Sequence, residues 1–102
     1  MIIALFKDEG RPTTTTYLFD DYSDFNSFMW DASTRYIKGV ELKITGKTYQ
    51  ERKTSLQNLV LNISDINEGG LSYMELVKID SFLETNARRY GLITEFKENY
   101  II

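Results

Sequence analysis

Asp20, Asp21 and Asp24, with Asp31 close behind, are the densest group of potential metal ligands and acid–base groups in the chain. Clustered carboxylates are the oxygen donors that Mg²⁺ and Ca²⁺ take. The calcium-loop pattern, though, needs alternating acids, a central glycine and a closing glutamate, and this stretch does not follow it. Acids at the start of a helix are also favoured by the helix dipole, which gives them a structural reason to be there. The chain holds no histidine and no cysteine. That removes the usual general base near neutral pH, the thiolate nucleophile, and the imidazole and thiolate ligands of zinc, copper and iron–sulfur sites. No metal and no cofactor is expected, and any chemistry is left to carboxylates, lysines, hydroxyls and tyrosines.

Those groups offer no catalytic constellation. Gly46-Lys47-Thr48 resembles the end of a phosphate-binding loop, but the position five residues earlier is Glu41 where the pattern needs glycine. Glu41 falls on the wet face of an expected strand, and no spacing brings two carboxylates together as an acid and a base. Ser23 and Ser72 are placed as helix caps, which accounts for the two best-positioned hydroxyls. The expectation is a protein that is not an enzyme.

Charge is segmented along the chain. Residues 1–34 carry Asp8, Glu9, Asp20, Asp21, Asp24 and Asp31 against Lys7 and Arg11, a net −4. Residues 35–53 carry Arg35, Lys38, Lys43, Lys47, Arg52 and Lys53 against Glu41 and Glu51, a net +4. The basic stretch interleaves its cations with Tyr36 and Tyr49, as a nucleic-acid-binding face does. The whole chain, however, has a formal charge of −3 and an isoelectric point near 4.9, and its far field repels phosphate. Neutralisation of one segment by another is the simplest account of the pattern. Arg52 and Lys53 nonetheless fall in the first turn of an expected helix, where the dipole disfavours cations.

The elements that must position these residues follow from periodicity and turn chemistry. Ile2 to Phe6 and Thr13 to Phe19 are apolar or β-branched runs separated by Lys7-Asp8-Glu9-Gly10-Arg11-Pro12, which predicts a hairpin. Ser23 is the expected cap of a short helix whose Phe25, Phe28, Met29 and Ala32 form a stripe facing the sheet. Trp30 lies off that stripe. Val40, Leu42 and Ile44 alternate with Glu41, Lys43 and Thr45 and predict a strand. Thr48-x-x-Glu51 and Ser72-x-x-Glu75 are two capping boxes. Leu71 and Leu76 fit a hydrophobic staple across the second of them. The first box opens a helix with Leu56, Leu59, Val60 and Ile63 inside, on a face begun by Tyr49. The second opens one with Leu76, Ile79, Leu83, Ala87 and Tyr90 inside. Gly91 stands where a left-handed cap belongs. The tail Ile93 to Ile102 fits two readings, a short helix to about Asn99, which is favoured, or a closing edge strand at Tyr100-Ile101-Ile102.

The closing residues Leu71-Ser72-Tyr73-Met74-Glu75-Leu76 and Arg88-Arg89-Tyr90-Gly91-Leu92-Ile93-Thr94-Glu95-Phe96, with the short acidic build, resemble small proteins carried by prophages and mobile elements of Gram-positive bacteria. The likeness spans about the last third of the chain and carries over no functional residue. It implies a non-catalytic protein that binds a host protein, inhibitors of bacterial defence nucleases such as anti-CRISPR proteins being one such group. An acidic surface can occupy a groove evolved for nucleic acid, because the groove's own cations steer it there.

A chain of 102 residues with 42% hydrophobic and 14% aromatic content suits one domain over residues 1–102. No apolar run approaches the length of a membrane span, and a cytoplasmic location is expected. The expected architecture is α+β, a small antiparallel sheet built as β-β-α-β and followed by a helical C-terminal half. The expected function is non-catalytic binding of a protein partner, with inhibition of a host or defence protein as its sharpest version and a nucleic-acid-binding protein among the partners it would suit. Asp20, Asp21, Asp24 and Asp31 would meet a basic target, and Tyr22 and Trp30 would anchor the contact. Two alternatives stand beside it. One is direct nucleic-acid binding through Arg35, Lys38, Lys47, Arg52 and Lys53, and the other is a structural component that assembles with copies of itself.

Overall fold

A computed structural model of the chain describes residues 1–30 and 34–102. Three strands and four helices follow one another as β1 (Ile2–Asp8), β2 (Thr14–Phe19), α1 (Tyr22–Met29), β3 (Thr34–Glu41), α2 (Tyr49–Ile66), α3 (Tyr73–Arg89) and α4 (Ile93–Glu98). The order β-β-α-β followed by helices is the α+β architecture that the sequence predicts. The chain divides into two compact units, Met1–Lys43 with Asn62–Leu71, and Ile44–Leu61 with Ser72–Ile102. No helix of the described residues is long and apolar enough to cross a membrane.

In the first unit β1 is the central strand of a sheet ordered β2-β1-β3, antiparallel on both sides. Every residue from Ile2 to Phe6 is buried, as a strand with neighbours on both edges requires. Strand alternation sends Ile2, Ala4 and Phe6 to one face, where they form a core with Phe19. Tyr17, Phe25 and Phe28 pack against it. Phe6 is the hub, with ring centroids 4.8 Å from Phe28, 5.6 Å from Tyr36 and 5.7 Å from Tyr17, all near edge-to-face. On the opposite face, the buried Thr16 hydroxyl donates to the Ile66 carbonyl at 3.0 Å and accepts from the Glu68 amide at 2.9 Å. The Thr16 amide donates to Gly69 O at 2.9 Å, so the loop after α2 occupies part of the outer edge of β2. Gly70 is fixed in that loop by its φ of +95° and by Thr15 Cγ2, which a Cβ at Gly70 would strike.

The third strand differs from expectation. It runs Thr34–Glu41, earlier than the Val40 to Ile44 alternation suggests, and Leu42 to Gly46 lie outside it. Lys38 pairs with Leu5 but Tyr36 with Phe6, leaving Ile37 as an extra residue at a bulge. That bulge breaks the period-two signal inside the true strand, while the Leu42 amide continues only as far as a 2.8 Å bond to Met1 O.

In the second unit the helix ends match the sequence reading closely. At the start of α2 the Glu51 amide donates to Thr48 Oγ1 at 3.1 Å, and Glu51 Oε2 accepts from the Lys47 amide at 2.8 Å. The Ser72/Glu75 capping box is complete in both directions. α3 ends with Gly91 at φ +68° and the Leu92 amide on Ala87 O at 2.8 Å, the wrapped-back turn that satisfies the last carbonyls. Ile79, Leu83, Ala87, Tyr90, Leu92 and Phe96 are buried. Leu76 is not: with Tyr73, Met74 and Val77 it is exposed. Periodicity places Leu76 near the buried face of α3 but carries no information on how far along the helix that burial extends.

Candidate functional site

The short helix α1 holds most of the expected contact residues, and its local chemistry explains how they are displayed. Asp21, not Ser23, is the N-cap: its φ of −149° and ψ of 175° are extended, and its Oδ1 accepts from the Asp24 amide at 2.9 Å. Ser23 lies within the first turn. The stretch Asp20-Asp21-Tyr22-Ser23-Asp24 offers several capping acceptors, and moving the cap two residues earlier lengthens the helix by half a turn. Phe25 and Phe28 point into the sheet, with Phe19 5.5 Å from Phe25 and 5.3 Å from Phe28. They anchor the helix, which contains no fully buried residue.

What faces outward is the aromatic and acidic remainder. Trp30 closes the helix as its C-cap and is 88% exposed, the extreme of a side chain that ordinarily seeks cover. Tyr22 is 57% exposed, its hydroxyl 3.4 Å from Glu41 Oε2 and its ring edge-on to Phe25. Met29, expected on the sheet-facing stripe, is exposed instead. Asp20, Asp21 and Asp24 are exposed as well. Asp21 is already engaged as the cap, and Asp24 sits in the first turn where the dipole favours it. Asp31 and Ala32 lie outside the described residues. The structure thus leaves Tyr22, Asp24, Met29 and Trp30 exposed on one eight-residue helix and its cap, which two phenylalanines anchor to the sheet. Met29 is the residue that sequence reasoning missed, because the i, i+3, i+4 pattern from Phe25 cannot tell whether Met29 packs beside Phe25 and Phe28 or turns to solvent.

The basic residues separate into two sets. Arg35 and Lys38 lie on β3 in the first unit and are exposed. Lys47, Arg52 and Lys53 belong to the second unit. There Arg52 is committed internally: its Nε donates to Tyr90 Oη at 2.6 Å, and its guanidinium lies 5.8 Å from the Tyr90 ring centroid. This bond, ahead of the opposing effect of burial, holds the Tyr90 phenol below its ordinary pKa. The cation that the dipole argument marks as misplaced is therefore explained by a tyrosine 38 residues away. Lys53 is half-buried, and Lys47 is exposed with its amide bound by Glu51.

Among the described residues no three carboxylates are grouped so as to hold a metal ion. Comparison with protein-family models, with curated proteins and with solved structures gave no match.

Proposed function

We propose that the chain is a non-catalytic binding module that contacts a protein partner through the solvent face of α1, with Trp30 as the anchor. The observation that carries this reading is the exposure of Trp30, the sole tryptophan, at the end of a helix already fixed by Phe25 and Phe28. Tryptophan is the residue type most concentrated at the energetic centre of interfaces, and holding one in water offers the free fold nothing. Tyr22 and Met29 extend the apolar contact, and Asp24 with Asp20 and Asp21 gives its surroundings a negative sign. The fitting partner presents an apolar pocket rimmed by lysine and arginine. The resemblance of the closing residues to prophage-type proteins directs the search to nucleic-acid-binding proteins of a bacterial host, defence nucleases among them.

Capture from a bacterial lysate on immobilised protein tests the reading. A basic host protein retained by the wild type is expected to be lost with Trp30→Ala and weakened with Asp24→Lys, while both variants keep the wild-type circular dichroism. Retention of that protein by both variants contradicts the proposal.

A further inference from the structure

The tip of the β1–β2 hairpin carries a second feature of the first unit that the α1 surface does not use. Lys7, Asp8, Glu9, Gly10, Arg11 and Pro12, with Arg35 from the start of β3, line an open cavity of about 450 Å³. Lys7 and Arg35 are Cα partners across β1 and β3, so two cations stand directly opposite on one face of the sheet. Such a pair destabilises a sheet unless a counter-charge lies between them. Arg11 adds a third cation from the loop. None of the three makes an ion pair among the described residues.

The two acids of the lining leave it a net +1, and neither forms an ion pair with Lys7, Arg11 or Arg35 among the described residues. Asp8 Oδ2 faces Thr15 Oγ1 at 3.1 Å and Thr13 Oγ1 at 3.4 Å, and its backbone closes the turn through Asp8 N to Thr13 O and Arg11 N to Asp8 O. Alternation along β1 also turns Asp8 to the face opposite Lys7. Glu9 is exposed in the loop. No aromatic ring lines the cavity, so it offers no stacking platform for a base.

From the opposed cations and the cavity they border we infer that the hairpin tip is a binding site for a phosphate group, gripped by Lys7, Arg11 and Arg35. A multiply charged tetrahedral anion matches two guanidinium forks and an ammonium better than a single carboxylate does. The phosphate is either free or part of a polynucleotide backbone, since the same three side chains recognise both.

The test follows the backbone amides of Gly10, Arg11 and Arg35 by NMR in low-salt buffer during titration with inorganic pyrophosphate and, separately, with a single-stranded oligonucleotide. Pyrophosphate is expected to shift these three amides. Arg35→Gln should weaken binding about tenfold, and Glu9→Gln should tighten it. Removing one of two opposed cations should leave the Tm of Arg35→Gln unchanged or slightly raised, which separates lost binding from unfolding. A tighter oligonucleotide complex displaced by pyrophosphate assigns the phosphate to a polynucleotide, and pyrophosphate binding with no such complex assigns it to a free anion. If neither probe moves these amides, or if both variants bind as the wild type does, the inference is wrong.

Discussion

Arg52 and Trp30 mark two regions of the molecule with opposite relations to their surroundings. Around Arg52, in the second unit, a side chain that looks misplaced in the sequence is fully employed. The guanidinium is bound to Tyr90, Tyr90 is 3% exposed, and Tyr49 packs on its ring at a centroid distance of 5.6 Å. Around Trp30, in the first unit, Trp30 and Met29 are carried on a helix that Phe25 and Phe28 anchor and are then left in water. A residue that violates a local rule and finds a partner in its own fold is structural. One that violates it and finds none is a candidate for a partner outside the chain.

That contrast is open to direct attack, beginning with the largest effect. Phe6 is 1% exposed and touches four other rings, so Phe6→Ala should cost about 3–5 kcal/mol, read by urea denaturation of the full chain. A loss much below that would mean that the support beneath α1 is looser than the ring geometry describes. Next is Tyr100, which occupies a left-handed conformation at φ +57° just past α4. There the Tyr100 and Ile101 amides bond back to Lys97 O and Phe96 O at 3.2 and 2.8 Å. Tyr100→Gly should stabilise by about 1 kcal/mol, the steric penalty of that conformation being relieved. An unchanged denaturation midpoint would place the strain elsewhere. Trp30→Ala should be smallest, within about 0.5 kcal/mol of wild type, as for a surface substitution that breaks no contact.

The Arg52 region can be sharpened by pH. Because the Tyr90 pKa is lowered in the fold, its contribution to stability is fully present above the unfolded tyrosine value of 10.0 and is lost as pH falls through the lowered one. In an alkaline absorbance titration Tyr90 should give an ionisation step below the ordinary tyrosine value. Arg52→Met should move that step to higher pH. If the early step survives in that variant, the hydrogen bond is not its cause.

Legibility from sequence divides along similar lines. Most features set by neighbours within four residues were readable: the Thr48/Glu51 and Ser72/Glu75 boxes, the Gly91 stop and the hairpin turn, though not the α1 cap, where Asp21 outcompetes Ser23 among several acceptors. Those set by distant partners were not. β3 begins at Thr34 because β1 offers it a ladder, and its bulge at Ile37 hides the alternation that would announce it. The pairing of Lys7 with Arg35 is a matter of register, and the Arg52 to Tyr90 bond spans the helices of the second unit; neither is written in local spacing. On α1 the acids and Trp30 were visible as residue types, whereas whether Met29 packs beside Phe25 and Phe28 or turns to solvent was not.

The sole tryptophan offers the most direct measurement of the central claim. Free protein should show red-shifted Trp30 emission and full accessibility to acrylamide. At saturating concentrations of a captured partner that itself lacks tryptophan, the emission should move to the blue and the quenching constant should fall severalfold. Emission and quenching that stay at their free values in the saturated complex would contradict a contact centred on α1.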